Sequence, residues 1–259
     1  MLVNLGYEIS GSDIQSSTAT EKLEKLGCSI SYKHVAANVL GKQAVVVSSA
    51  IDENNLELQE ARQQNLLIVP RAEMLGELMR FRFGIAISGT HGKTTTTSLI
   101  VHILTEAKLD PTYVIGGIIN ATGMNAKLGK SDYLIAEADE SDASFLYLQP
   151  MLSVITNIDE DHMGTYKHNY KNLVDAFISF TSNLPFYGVC VACIDDQGVQ
   201  DILNKVHRPV MGYGFSDDAD VKAFNVKQNK MKMLFYIECL IIEYPRMTKY
   251  SESRKFGDE

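Results

Sequence analysis

Apolar and polar positions repeat along this chain with the period of strands in some segments and of helices in others. The alternation of these two kinds of segment predicts α/β architecture with mostly parallel sheets. In the first block, three apolar runs have the length and residue types of strands: Tyr7 to Ser10, Ala44 to Ser48 and Leu66 to Val69. Three further runs have helical spacing: Thr18 to Leu26, Asn54 to Gln64 and Ala72 to Arg80. This block predicts a partial Rossmann-like N-terminal domain over residues 1–83.

The second block, residues 84–237, repeats the alternation and predicts a P-loop-type central ATPase domain with a mostly parallel sheet. Its strand-like runs are Phe83 to Ile87, Tyr133 to Glu137, Leu152 to Ile158 and Gly188 to Ile194. A hairpin is predicted over Lys222 to Ile237. Residues 238–259 are predicted to form a divergent tail.

A glycine- and threonine-rich run joins the strand at Phe83 to a segment of helical spacing, and it predicts a nucleotide phosphate site. The candidate residues for the cofactor phosphates are Gly89, Thr90, His91, Gly92, Lys93, Thr94 and Thr95. Glycines let backbone N–H groups approach phosphate oxygens, a lysine can reach the outer phosphates and a threonine hydroxyl can ligate Mg²⁺. The longer P-loop pattern fails, because Ile87 occupies its first glycine position. An ordinary turn is the alternative, but four threonines are poor helix formers.

Acidic and polar side chains follow the next two strands. Glu137 ends the strand at Tyr133 and is the natural Mg²⁺ ligand beside a phosphate loop. Asp139, Glu140 and Asp142 are better interpreted as a solvated acidic loop. Asn157 and His162 follow the strand at Leu152, where they could reach a γ-phosphate or a second metal; a lone histidine is more often structural or exposed.

Three further short motifs are weaker candidates for ligand contacts. Asp13 follows the first strand, where related folds place a polar group near a ribose or base. Ser48 and Ser49 end the second strand, although a solvated turn would be the better interpretation if they stood alone. Gly116 and Gly117 follow the helix behind the phosphate loop, and their simplest interpretation is a glycine turn.

Charge and composition exclude some classes of protein. The 259 residues carry a formal net charge of −8, which argues against nucleic acid as the main partner because such sites need clustered Lys and Arg. No apolar run reaches the length of a membrane span, and residues 1–8 lack the pattern of a signal peptide. These features predict a cytoplasmic protein.

The four cysteines do not form a disulfide framework, which fits a reducing compartment. Cys190 and Cys193 form one C-x-x-C, but no second pair or nearby histidine completes a zinc site. We therefore predict that both are small apolar residues of a buried strand.

Three of these motifs, taken in order, resemble the Mur ligases of peptidoglycan synthesis: 89–95, 137–142 and 156–163. Further motifs resemble the alanine-adding branch of that family, at 11–13, 48–51, 70–75 and 184–188. The resemblance covers about residues 2 to 235.

The resemblance implies an ATP- and Mg²⁺-dependent ligation of L-alanine to UDP-N-acetylmuramate through an acyl phosphate. Lys93 would hold the β- and γ-phosphates, and Thr94 with Glu137 would hold Mg²⁺. Family analogy places His162 at a second metal and Asn157 close to the nucleotide. It also implies a set of substrate contacts: Asp13, Ser48, Ser49, Arg71, Gly116 and Gly117.

The sequence also departs from the family pattern. We expect this chain to lack the glycine loop that should precede the first strand and the amino-acid-binding third domain, and Phe177 lies near the position where some relatives use a carbamylated lysine. One hypothesis is therefore an alanine-adding ligase whose chain is incomplete and weakly active or inactive. The other is a nucleotide-binding remnant or interaction module without ligase activity. A relationship to folylpolyglutamate synthase is less favoured, because the Ser48 and Arg71 motifs resemble the UDP-sugar branch.

Overall fold

The computed structural model describes residues 2–119, 124–230 and 232–239. The chain separates into two compact units, an N-terminal unit ending at Leu78 and a C-terminal unit beginning at Met79. Residues 240–259 of the predicted tail lie outside the described part of the chain. No helix in that described part has the length and apolar character needed to cross a membrane.

The N-terminal unit contains two short parallel strand pairs. Strand β1 (Ser10–Ser12) pairs with β2 (Ser29–Ser31), and β3 (Ala44–Val47) pairs with β4 (Leu67–Pro70). The helices that follow its strands are α1 (Thr18–Lys25), α2 (Leu56–Gln63) and α3 (Arg71–Arg80).

The first strand begins later than the sequence pattern predicts. A 3-10 turn at Val3–Leu5 ends at Gly6, whose φ of +88° turns the chain, and Tyr7 is 62% exposed. Pairing starts only at Ser10, opposite Ser29. The apolar residue at position 7 therefore does not mark a buried strand.

The C-terminal unit is built on one nine-stranded sheet. The strands are β5 (Phe83–Ser88), β6 (Thr112–Ile119), β7 (Met124–Lys127), β8 (Tyr133–Glu137), β9 (Leu152–Ile155), β10 (Val189–Cys193), β11 (Val210–Gly214), β12 (Val221–Asn229) and β13 (Lys232–Cys239). Their order is β13-β12-β11-β10-β9-β5-β8-β6-β7, and among the described strands only the outer pairs β6–β7 and β12–β13 are antiparallel. The described architecture confirms the α/β prediction with a mostly parallel sheet, and β12 with β13 form the predicted hairpin.

Helices α4 (Lys93–Glu106), α5 (Tyr170–Ser182) and α6 (Gln197–Leu203) complete the described helices of this unit. Phe145, Phe177 and Phe180 are fully buried together, with the Phe145 ring centroid 5.2 Å from that of Phe177. Phe177, near the position where some relatives carry the lysine, is therefore part of the apolar core.

The C-x-x-C pair lies in the predicted buried strand. Cys190 is fully buried in β10, and burial raises the pKa of its thiol to about 11. Cys193 ends the same strand, and both cysteines are free thiols. A thiol held neutral by desolvation is unreactive, so Cys190 acts as a small apolar residue.

Three loops of the C-terminal unit meet because β5 lies between β8 and β9, both parallel to it. Ile87 of β5 is in register with Glu137 of β8 and with Val154 of β9. Parallel strands end on the same edge of a sheet, so the segments after Ser88, Glu137 and Ile155 converge there.

Glu57 of α2 is a buried carboxylate that joins several loops of the N-terminal unit. Ser12 Oγ donates to its Oε2 over 2.8 Å, His34 Nδ1 lies 3.0 Å from the same oxygen, and Asn38 Nδ2 donates to Oε1. Burial alone would raise the pKa of the Glu57 carboxyl, but hydrogen bonds from Asn38, Ser12 and His34 outweigh it, and the net pKa is lowered. The ionised carboxylate therefore stabilises the fold of this unit.

Replacing that carboxylate provides a test of its contribution. A lowered pKa stabilises the folded state above the unfolded value of about 4.5, and this stabilisation disappears as the pH falls through the folded pKa. Glu57→Gln is expected to lower the thermal unfolding temperature at pH 7, with a deficit that shrinks below pH 4.5. Glu60→Gln on the same helix is the control and should change little. A deficit of equal size at pH 3 and pH 7 would contradict this role for Glu57.

Candidate functional site

Two glycines shape the loop between β5 and α4. Gly89 has a φ of +136°, and a Cβ there would lie 2.0 Å from Thr156 Oγ1. Gly92 has a φ of +81° with nothing within 4 Å of the Cβ position. Gly89 is therefore required for close approach of the backbone, whereas Gly92 supplies only a left-handed turn.

Asn157 fixes the loop from the neighbouring strand end. The His91 N–H donates to Asn157 Oδ1 over 2.8 Å, and Asn157 Nδ2 donates to the His91 carbonyl over 2.9 Å. The Thr90 N–H donates to the Asn157 carbonyl over 3.1 Å, and Thr156 Oγ1 also donates to the His91 carbonyl. In this structure Asn157 thus supports the backbone of the phosphate loop.

The N terminus of α4 lacks a side-chain cap. Gly92 occupies the N-cap position, and no described side chain accepts a hydrogen bond there. By contrast, Ser17, Asn169 and Asp196 cap α1, α5 and α6. The first-turn N–H groups of a helix have no intrahelical acceptor and carry a partial positive charge, so this end of α4 is suited to an anion.

Lys93, the first residue of α4, turns its ammonium back into the loop. Nζ donates to the Gly89 carbonyl over 2.9 Å, to the Thr90 carbonyl over 3.3 Å and to Glu140 Oε2 over 2.7 Å. The Lys93 side chain is 12% exposed and that of Glu140 is 1% exposed. The Lys93 ammonium therefore lies in the loop and is paired with a buried acid.

Glu140 corrects one sequence expectation, because it does not belong to a solvated acidic loop. Asp139 and Asp142 are exposed and accept N–H bonds from Ser141 and Ser144, but the Glu140 side chain is buried. Burial raises the pKa of the Glu140 carboxyl, and the Lys93 ammonium opposes that shift. The run of carboxylates in the sequence gave no sign of which one turns inward.

Thr94 and Glu137 form an oxygen pair beside the loop. Thr94 Oγ1 donates to Glu137 Oε1 over 2.9 Å and lies 3.1 Å from Oε2, while the Gly116 N–H donates to Oε2 over 2.8 Å. A hydroxyl and a carboxylate are hard oxygen donors of the kind Mg²⁺ takes, with waters and phosphate oxygens as its remaining ligands. The chemistry of this pair fits one Mg²⁺.

These features surround one cavity of about 320 Å³. Its lining consists of Thr90, His91, Gly92, Lys93, Thr94, Thr95 and Glu137. The lining combines backbone N–H groups, an ammonium and a carboxylate with hydroxyls. It suits a polyphosphate accompanied by a cation.

His162 is not among the residues that line this cavity. It has a φ of +52°, its ring is about half exposed, and Nε2 lies 3.7 Å from Asp161 Oδ2. Across residues 2–119, 124–230 and 232–239, no group of three His, Cys, Asp or Glu side chains is arranged to hold a metal. Its assignment to a second metal stays a prediction.

Gly116 and Gly117 lie on strand β6. The simplest interpretation of the sequence, a glycine turn at these positions, is therefore wrong. A Cβ at Gly116 would lie 3.3 Å from both Glu137 carboxylate oxygens. The missing side chain lets the Gly116 N–H reach that carboxylate. Gly116 therefore positions the candidate metal ligand.

The other predicted substrate contacts belong to the N-terminal unit. Asp13 follows β1, and its Oδ1 accepts the Ile14 N–H over 2.7 Å. Ser48 follows β3, and its Oγ accepts the Ala50 N–H, with the exposed Ser49 beside it. Arg71 is exposed at the start of α3. Asp13 and Ser48 thus follow the carboxyl ends of their strands.

Comparisons with known proteins find matches along most of this chain. The model of the Mur ligase middle domain matches residues 87–250, and a model described as Mur ligase family, catalytic domain, matches residues 1–83. A UDP-N-acetylmuramate–L-alanine ligase from Ruthia magnifica is 65% identical over 235 residues, which is 91% of this chain and 50% of the relative. The chain spans about half the length of the curated relatives it matches.

Solved structures share the fold at lower identity. A UDP-N-acetylmuramate:L-alanyl-γ-D-glutamyl-meso-diaminopimelate ligase from Neisseria meningitides has a TM-score of 0.80 and 22% identity, covering 93% of this chain and 79% of that one. A UDP-N-acetylmuramate-alanine ligase from Thermotoga maritima has a TM-score of 0.74 and 24% identity, covering 92% and 53%.

The two loop glycines provide a matched pair of substitutions. Gly92→Ala should lower the free energy of unfolding by about 1–2 kcal/mol, the cost of a left-handed non-glycine residue. Gly89→Ala should lower it further, because its Cβ also meets Thr156 Oγ1. Urea unfolding of both variants measures the difference. Equal losses would show that the close approach at Gly89 is not a structural requirement.

Proposed function

This chain belongs to the Mur ligase family, and from that premise we propose that it carries the ATP- and Mg²⁺-binding part of an alanine-adding ligase of peptidoglycan synthesis. The observation that carries the proposal is the uncapped α4 N terminus, with Lys93 and the Thr94–Glu137 pair beside it. An anion site, an ammonium group and hard oxygen ligands at one sheet edge are the parts that phosphoryl transfer needs.

The proposed reaction joins L-alanine to the lactyl carboxylate of UDP-N-acetylmuramate. The carboxylate attacks the γ-phosphorus of ATP, ADP leaves, and the alanine amine then attacks the acyl phosphate and expels phosphate. Backbone N–H groups of the loop and the Lys93 ammonium bind the phosphates and stabilise charge during transfer. Thr94 and Glu137 would hold Mg²⁺, which would supply positive charge to neutralise the phosphoryl oxygens.

The remaining candidate residues are proposed to contact the substrates, a second metal or the nucleotide. Asp13, Ser48, Ser49 and Arg71 contact the UDP-sugar substrate, and Gly116 with Gly117 contacts its muramyl portion. His162 borders a second metal, and Asn157 lies near the nucleotide while supporting the loop. L-alanine and UDP-N-acetylmuramate are the small-molecule partners.

A second candidate function is nucleotide binding without ligation. It is favoured by one observation: the assigned phosphate and Mg²⁺ contacts all belong to the C-terminal unit. Nucleotide binding therefore needs none of the proposed UDP-sugar contacts of the N-terminal unit. An assay that requires both substrates separates the two functions.

Binding is tested by titrating the chain with ATP and Mg²⁺ in a calorimeter. Lys93→Ala should weaken binding by about 10- to 100-fold, because hydrogen bonds to charged groups contribute about 1.5–3 kcal/mol. Lys171→Ala, an exposed lysine on α5, is the control and should leave the affinity unchanged. Unchanged affinity in Lys93→Ala would remove the lysine from the site.

Ligation is tested by following ADP release with ATP, UDP-N-acetylmuramate and L-alanine. A ligase should release ADP only when both substrates are present, and Glu137→Gln should reduce that rate at least about 100-fold, a typical effect of losing electrostatic stabilisation. ATP binding without substrate-dependent release would establish the second candidate function instead.

A further inference from the structure

The Lys93 ammonium has no donor left for a phosphate in this structure. An ammonium carries three N–H donors, and they are directed to three oxygens: the Gly89 carbonyl, the Thr90 carbonyl and Glu140 Oε2. A phosphate can therefore be bound by Lys93 only if one of these acceptors is released. The acceptor that is released determines which group of the site loses its contact with Lys93 when phosphate binds.

Among the three acceptors, Glu140 is the one whose surroundings would change most if the lysine left. Its side chain is 1% exposed, and its second oxygen, Oε1, has no hydrogen-bond partner among the described residues. Tyr166 Oη donates to the Glu140 backbone carbonyl and not to the carboxylate. Without Lys93, this carboxylate would be buried with no cation beside it among the described residues, and a group in that position avoids the desolvation cost by taking up a proton.

The charged and titratable groups around Glu140 do not replace the lysine. Asp139 and Asp142 are exposed acids of the same loop, and the Tyr166 phenol has a pKa raised by burial and by the nearby Glu140, Asp139 and Asp142 charges. None of these groups can carry a positive charge. Lys93 is therefore the cation described beside Glu140, and its charge opposes the rise in the Glu140 pKa that burial causes.

We propose that Glu140 is a positioning residue that holds Lys93 inside the loop until nucleotide binds, and that Glu140 gives up the lysine to the phosphates and takes up a proton in exchange. This inference rests on the proposed nucleotide site. The Lys93–Glu140 hydrogen bond breaks, a Lys93–phosphate contact forms, and solvent supplies the proton that neutralises the carboxylate. ATP binding is then coupled to the uptake of up to about one proton.

The experiment is calorimetry of ATP with Mg²⁺ on the full chain, in two buffers of different ionisation enthalpy and from pH 6.5 to 8.5. The difference between buffers gives the protons taken up per ATP. Glu140→Gln keeps the shape of the side chain and removes its charge. Asp142→Asn is the matched control at an exposed acid of the same loop.

The unaltered chain and Asp142→Asn should take up protons, so their affinity should fall as the pH rises, by up to about tenfold per unit. Protonation of ATP itself contributes equally in every variant. Glu140→Gln should lack the Glu140-dependent uptake, show a flatter pH profile and bind ATP about tenfold more tightly at pH 8, because no carboxylate competes for Lys93.

The opposite result overturns the proposal. Weaker binding by Glu140→Gln, with the same proton uptake as the unaltered chain, would mean that Glu140 stays on Lys93 and orients it toward the phosphates. ATP binding by the unaltered chain without any Glu140-dependent proton uptake would also overturn it, while leaving the nucleotide site in place. Absence of ATP binding by the folded, unaltered chain would overturn both.

Thermal unfolding without nucleotide tests the ion pair separately. Lys93→Ala should lower the unfolding temperature because it leaves Glu140 buried and unpaired, and adding Glu140→Gln should restore part of that loss. No recovery in the double variant would show that Lys93 does not stabilise the carboxylate.

Discussion

The site depends on the hydrogen bonding of β5 between two parallel neighbours. Ile87 is in register with Glu137 on one side and Val154 on the other, so the chain leaves all three strands at nearly the same height. That constraint places the phosphate loop, the Glu137 carboxylate and the Asn157 amide together. The sheet brings these segments together although they are far apart in sequence, so each group makes its contacts through the local geometry of its own loop.

Local geometry is set by backbone positions as much as by reactive side chains. The absence of a Cβ at Gly89 lets the loop pack against Thr156, and its absence at Gly116 lets an N–H group reach Glu137. The N terminus of α4 keeps its first-turn donors because glycine occupies the N-cap. The polar chemistry proposed for the loop therefore relies on places where a side chain is missing.

Much of the site was accessible from local patterns. Lys93, Thr94 and Glu137 were identified from a glycine-rich turn after an apolar run and an acid at a strand end, and the structure brings them together. Glu140 and Thr156 were missed. Glu140 is one of several consecutive acids, and burial of one of them is a property of the folded loop, with no periodicity to reveal it. The glycine pair at 116 and 117 predicts a turn, because glycine pairs usually mark turns, but both residues lie within β6.

The sequence by itself determined the α/β class and the residue types of the phosphate loop, because hydrophobic period and glycine placement act over a few neighbouring residues. Only the tertiary structure decided which carboxylate pairs with Lys93, which amide supports the loop and where β1 begins. Those outcomes depend on burial and on contacts between segments that lie 47 and 66 residues apart. These contacts are necessary because a buried polar group without a partner is costly to desolvate, and local sequence patterns do not show which groups will be buried.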